Sequence, residues 1–125
     1  MTLTLVDSNI LIDAIRARAP ALRFLEEAAS AGPIWSSVLV RAELVIGAMP
    51  DEQGRFGAWL NVIEWQDVTA PIADLAGRLG MPFRRSHNIG MVDLIVAATA
   101  IELGGTLATL NVRDFPMFPG LQPPY

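Results

Sequence analysis

Short apolar runs alternate with helix-period stretches along this chain, and glycine or proline separates most of them. Leu3 to Val6 is a β-like run that ends at Asp7-Ser8-Asn9, a combination that starts helices. Leu11, Ala14 and Ile15 then recur at helical spacing and predict a helix over Ile10 to Arg18. Pro20 opens a second helix through about Ala31, with Ala21, Leu22, Leu25 and Ala28 or Ala29 as its buried stripe. Gly32-Pro33 breaks it, Ile34-Trp35 is a brief strand, and Ser36 or Ser37 caps a helix from Val38 to about Ala48. After a turn at Met49-Pro50-Asp51 the pattern predicts a helix near Glu52 to Leu60 and a strand over Val62 to Val68, with Trp65 pointing inward. Thr69 caps a helix from Ala70 to Leu79. Gly80 to Asn88 is a loop, Gly90 to Leu103 a strongly apolar helix, and Thr106 to Leu110 the last strand. A loop over Asn111 to Asp114 and a proline-rich tail follow.

Strands alternating with helices imply an α/β fold with a parallel sheet and helices on both faces. No repeat, low-complexity segment or linker divides the 125 residues, a length suited to one domain over 1–125 with one core. In such a sheet ligands bind at the carboxyl ends of the strands, which is where Asp7 and the Asn111–Asp114 loop fall.

Composition narrows the chemistry. Hydrophobic residues make up 52% and charged residues 18%, as in a packed protein rather than a disordered one. With no cysteine, disulfides and thiolate metal sites are excluded. The stretch Met1 to Asp7 has no basic region before its apolar run and does not resemble a signal peptide. Glu43 and Asp93 interrupt the richest apolar stretches, so no run reaches the roughly 18–20 apolar residues of a membrane span. A cytoplasmic protein without membrane contact is the expectation. The formal net charge is −4, a poor basis for electrostatic binding of nucleic acid, yet all 9 basic residues are arginine, the side chain that forks onto phosphates and stacks on bases.

Some of the acids sit in unexpected company. Glu43 has Leu39, Ile46 and Gly47 as helical neighbours, which predicts a buried face where an unpaired carboxylate is costly. Pairing with Arg41 is the ordinary alternative, but residues two apart on a helix point to different faces. Asp93 lies among Ile89, Val96 and Ala97; as a first-turn acid it also complements the helix dipole. Asp7 can be a helix N-cap, and Asp114 a loop residue paired with Arg113. Taken together, three of the acids occupy apolar surroundings and two lie at strand ends. Clustered carboxylates repel one another, and a hard divalent cation with oxygen ligands relieves that repulsion. With one histidine and no cysteine, Mg²⁺ or Mn²⁺ suits such a shell better than Zn²⁺. A cation so held activates water and neutralises phosphoryl charge, chemistry that fits phosphodiester hydrolysis.

Four segments then resemble, in order, the signature of PIN-domain ribonucleases: Val6 to Asp13, Ser36-Ser37-Val38 with Arg41-Ala42-Glu43-Leu44, Asp93 to Ala98, and Leu107 to Phe115. The resemblance covers nearly the whole chain. It implies a PIN-like three-layer sandwich around a central, mainly parallel sheet of four to five strands. It further implies that Asp7, Glu43 and Asp93 are acidic metal ligands and catalytic residues, with Asp114 as the fourth. Many relatives carry aspartate where Asn111 stands here, so Asn111 is expected in support, along with the small hydroxyl residues Ser8 and Thr109. Asp13 is similar to an acid common in these sequences but lies six residues from Asp7, and it reads as a solvated or structural group. Proteins of this size and pattern resemble the VapC toxins of VapBC pairs: homodimeric Mg²⁺- or Mn²⁺-dependent endoribonucleases silenced by a small VapB-type antitoxin. Arg84, Arg85 and His87 are then candidates for contact with the RNA substrate, against an ordinary solvated loop.

Two rival readings are weaker. A phosphoaspartate protein built on Asp7 would need a lysine, absent here, or a second aspartate where Asn9 stands. A PIN fold kept as a catalytically inactive protein-binding module is suggested only by Asn111.

Overall fold

The structure is a computed structural model describing residues 2–125. Its first strand, β1 (Thr4–Val6), is buried at every position, as expected of a central strand covered on both faces. It runs into α1 (Ser8–Ile15), and α2 (Ala19–Ala31), β2 (Ile34–Ser37), α3 (Val38–Gly47), α4 (Gln53–Val62), β3 (Glu64–Gln66), α5 (Ala70–Gly80), α6 (Met91–Glu102) and β4 (Thr106–Ala108) follow. The sheet order is β3-β2-β1-β4, and every pairing is parallel. The path from β1 to β2 to β3 therefore moves one way across the sheet, and the path from β3 to β4 jumps back past β1. Right-handed crossovers place α1 to α4 on one face and α5 and α6 on the other. The direction reverses between β1 and β4, and the crevice at that switch point is where doubly wound sheets bind ligands. The three-layer α/β architecture and the parallel sheet match the sequence expectation, with four strands.

The main core joins the two inner strands to α1 and α6: Leu5, Val6, Ile10, Leu11, Val96 and Ala97 are all fully buried. Burying a large aliphatic side chain contributes about 1.5–3 kcal/mol, so this group carries much of the folding free energy. A smaller cluster of Ile72, Ala76, Leu94, Ile95 and Ala98 binds α5 to α6. Among the described residues no helix is long and apolar enough to cross a membrane.

Several element ends differ from the sequence pattern for identifiable reasons. The first helix stops at Ile15, short of Arg18, because Ala17 adopts a left-handed backbone (φ 59) that ends the helical ladder. The strand expected over Val62 to Val68 is only Glu64–Gln66, since α4 continues through Val62. Trp65 is partly buried as expected; its indole N–H donates to the Leu60 carbonyl at 3.0 Å. Glu43 is exposed, not buried: α3 buries Val40 and Leu44, and Ile46 is 85% exposed. Of the apolar neighbours inferred around Glu43, Leu39 is partly buried against the α5–α6 cluster, while Ile46 is left open among the described residues. Ser36 and Ser37 divide the work between them. The Ser36 hydroxyl donates to the Val6 carbonyl at 2.7 Å, and Ser37 caps α3 by accepting from the Leu39 N–H at 3.2 Å.

The β1–β4 pairing that builds the switch point depends on a close approach. Gly104 takes φ 66, and a Cβ on Gly105 would lie 3.0 Å from the Leu3 carbonyl oxygen, the group that accepts the Thr106 N–H. Gly105→Ala is expected to lower stability by about 1–3 kcal/mol through overpacking at this seam. Thermal denaturation of the two proteins measures the loss.

Candidate functional site

Asp7 is the first residue past β1 and the N-cap of α1, and only 4% of it is exposed. Its two carboxylate oxygens are held separately. Oδ1 accepts the Ser8 N–H at 2.8 Å; Oδ2 accepts the Thr109 hydroxyl at 2.8 Å and, more weakly, the Asn9 amide at 3.4 Å. Thr109, fully buried one residue past β4, also accepts from the Asn9 amide at 3.2 Å and from the Asn111 N–H at 3.1 Å. The Asn9 carbonyl oxygen takes the Leu110 N–H at 3.1 Å. These bonds tie the end of β1 to the end of β4 across the switch point. Asn9 is the member of this knot that sequence reasoning missed as a site residue. Its spacing from Asp7 was visible, but nothing in the chain announced that a segment one hundred residues away would supply its partners.

The other three acids converge on Asp7. Burial raises the Asp7 carboxyl above its ordinary range and the Asp114 charge adds to that, while the bonds from Thr109, Ser8 and Asn9 oppose it. Glu43, on the exposed side of α3, is raised by partial burial of its carboxyl and by the Asp7 charge, with the Ser8 side chain opposing. Asp93, half-buried in the first turn of α6, is pushed from 3.8 up to about 6, first by burial and then by the charges of Asp7, Asp114 and Glu43. All four acids expected as site residues thus share one region, together with Ser8 and Thr109. Neither Arg41 nor Arg113 neutralises them among the described residues. Arg41 lies over the Trp65 ring at 5.4 Å, and the ion pairs found join Arg16 to Glu52 and Arg18 to Asp13. Asn111 is exposed and contributes its backbone N–H to the knot. Asp13 is structural: it pairs with Arg18 at 3.5 Å and accepts the Tyr125 hydroxyl at 2.8 Å.

Arg84, Arg85 and His87 are exposed on the turn between α5 and α6, apart from the acids. Arg84 and His87 line a separate cleft there.

The donor set is all oxygen. Among the described residues no three acidic or histidine side chains come close enough to close around one ion. Oxygen donors suit a hard divalent cation better than a closed tetrahedral site of thiolates and imidazoles. Asp7, Glu43 and Asp93, with their carboxyls partly desolvated and raised, and Asp114 close to Asp7 and Asp93 define a candidate acidic metal site on a doubly wound α/β fold.

The PIN-domain family model matches residues 4–118, and the chain belongs to the PIN-domain family. It is 43% identical to Ribonuclease VapC19 of Mycobacterium tuberculosis over 123 residues, covering 97% of this chain and 98% of that one. It is 42% identical to Ribonuclease VapC10 of the same organism over 122 residues, covering 97% and 92%. Among solved structures, VapBC2 from Rickettsia felis, bound to a DNA fragment from its promoter, is similar with a TM-score of 0.83 and 28% identity over 96% of each chain.

Two predictions follow from the hydrogen bonds and the charge clustering. Thr109→Val removes the hydroxyl that serves Asp7, Asn9 and Asn111, and strands buried polar groups; a loss of about 1–3 kcal/mol is expected in chemical denaturation. The raised Asp93 carboxyl binds its proton more tightly folded than unfolded, so its stabilising contribution is full below 3.8 and is lost as pH rises through about 6. In the metal-free protein Asp93→Asn should therefore melt a few degrees above wild type at neutral pH, with the gap closing toward pH 4. A gap that persists unchanged at acid pH would show that repulsion at this carboxylate is not its source.

Proposed function

We propose that this chain is a divalent-cation-dependent endoribonuclease that acts as one domain and serves as the toxin of a type II toxin–antitoxin pair. The observation that carries this reading is the cluster of Asp7, Glu43, Asp93 and Asp114 at the β1–β4 switch point, in a chain whose close relatives are named ribonucleases. Mg²⁺, or Mn²⁺ in its place, would be held by these carboxylates, with Asn111 near the open edge. When bound, such a cation lowers the pKa of water and neutralises charge on a phosphoryl oxygen.

The residues of the chain supply the rest. Ser8, Asn9 and Thr109 fix both Asp7 oxygens, so this carboxylate is oriented before any ligand arrives. Asp93 and Glu43 approach from the two helices that flank it, and their raised carboxyls give the site a strong demand for positive charge. Arg84, Arg85 and His87, exposed on the turn between α5 and α6, are the side chains proposed to meet the phosphate backbone of RNA away from the acids.

The same reading supplies the partners. A structural neighbour from Klebsiella pneumoniae is a toxin–antitoxin complex, and Val45, Ile46 and Met49 are exposed apolar side chains at the end of α3, with Ile46 85% exposed. A VapB-type antitoxin and a second copy of the chain are the proteins proposed to cover such surfaces, in the cytoplasm.

The test is incubation of the purified chain with a total-RNA pool and Mn²⁺, beside a chelated sample and Asp93→Asn. Cuts at discrete positions are expected, abolished by the chelator, restored by added Mg²⁺ or Mn²⁺, and slowed roughly a hundredfold or more by the substitution, as loss of cation-based charge stabilisation implies. Intact RNA from a folded protein would overturn the nuclease reading and favour the inactive binding module.

A further inference from the structure

The cleft where α5 gives way to α6 takes no part in the carboxylate cluster, yet it is built next to it. It encloses about 360 Å³, within the range of small-molecule sites. The floor is where the two helices meet: a Cβ on Gly80 would stand 2.9 Å from Leu94 Cδ1. Leu94, Met91 and Phe83 make its apolar walls, and Arg84, His87 and Asn88 bring polar groups to its exposed rim. The rim is preorganised. The backbone N–H groups of Ser86 and His87 both donate to the Phe83 carbonyl, at 3.2 and 2.9 Å. The Phe83 and His87 rings meet edge-on, 5.2 Å apart at 86°. Ser86 Oγ lies 2.8 Å from His87 Nδ1, which ties down one edge of the imidazole and leaves Nε2 for a ligand.

Position and charge indicate what this cleft takes. Residues on both sides of Gly90 line it, while a Cβ on Gly90 itself would lie 3.9 Å from Asp93 Oδ2. Cleft and acidic cluster are thus separated by one turn of chain at the start of α6. Arg84 makes this rim a basic spot on a chain of net charge −4, and Arg85 follows it on the same exposed turn. Unpaired RNA bases are recognised by stacking on aromatic rings and by hydrogen bonds to their edges. Arginine and asparagine are the side chains that fork onto guanine and adenine. Another cavity of similar size, about 350 Å³ between α6 and the tail, offers the Phe118 ring but no charged side chain, and one of about 420 Å³ at Leu110–Asp114 offers Asn111 and Arg113 but no aromatic ring.

We infer that the Phe83–Asn88 cleft is a subsite for one unpaired nucleobase of a single-stranded RNA, seated against Phe83 and read by Arg84, His87 and Asn88 while the adjoining backbone runs toward Asp93. The inference rests on the ribonuclease reading for its substrate class. It adds a source of sequence selectivity that the acids cannot provide, since they act on the phosphodiester common to every nucleotide.

Equilibrium binding separates this subsite from catalysis. Fluorescently labelled single-stranded homopolymers of each base, and an abasic ribose-phosphate strand of equal length, are titrated with the full chain in chelator. The wild type should bind at least one homopolymer about tenfold or more tightly than the abasic strand, the size expected for a stacked base. Asn88→Ala and Phe83→Ala should shrink that preference to a few-fold or less while leaving abasic binding unchanged. Asn88 is exposed, so its variant keeps the test valid if Phe83→Ala folds poorly. Abasic RNA bound as well as every homopolymer, or variants that discriminate like wild type, would overturn the subsite. So would variants that instead change the sedimentation of the free chain, which would make the cleft an interface between copies. Retained base preference in a wild type that cuts no RNA would leave the subsite standing and remove the nuclease reading.

Discussion

The buried Asp7 carboxylate, gripped at 2.8 Å by both the Ser8 N–H and the Thr109 hydroxyl, is the constraint on which the rest of this site depends. A carboxylate with 4% exposure is tolerable only when its oxygens are hydrogen-bonded, and here the donors come from two ends of the chain. Satisfying Asp7 therefore means closing β4 against β1, and closing β4 against β1 means accepting the tight Gly104-Gly105 passage beside Leu3. Local charge chemistry and global topology are the same requirement in this protein. Loosening any member of the Asp7–Asn9–Thr109 knot acts on the fold and on the candidate site at once.

The remaining acids follow from where parallel strands end. Each strand of a doubly wound sheet delivers the chain to the same edge, so the residue after β1, the helix after β2 and the loop after β4 all arrive at one crevice. α6 adds Asp93 from the opposite layer, where burial and the charges of Asp7, Asp114 and Glu43 lift it to about 6. The fold concentrates negative charge that nothing in the described chain neutralises. Repulsion of this kind lowers stability in the absence of a cation and becomes binding energy in its presence.

The arginines clarify how an acidic chain can address an anionic polymer. Arg16 and Arg18 are consumed in ion pairs and Arg41 lies on Trp65, whereas Arg84 and Arg85 stand exposed beside the start of α6. The net charge of −4 is thus an average over an acidic crevice and a small basic rim. An averaged charge is a poor guide when the acids are grouped around a place for a cation.

The sequence by itself determined the element order and the parallel α/β architecture, and its resemblance to a known family raised the expectation that Asp7, Glu43, Asp93 and Asp114 form one set. Periodicity and capping are local, and an acid out of keeping with its neighbours is visible without coordinates. It misjudged what depends on neighbours distant in sequence. Glu43 was expected on a buried face because Leu39 and Ile46 flank it, yet whether an apolar face is covered is decided by what packs on it, and here Leu39 is partly covered while Ile46 is left exposed. The role of Asn9, the division between Ser36 and Ser37, and the cleft at Phe83–Asn88 were likewise settled only by tertiary structure. Hydrogen bonds across one hundred residues and the space between two helices are properties of the closed sheet, and no local pattern encodes them.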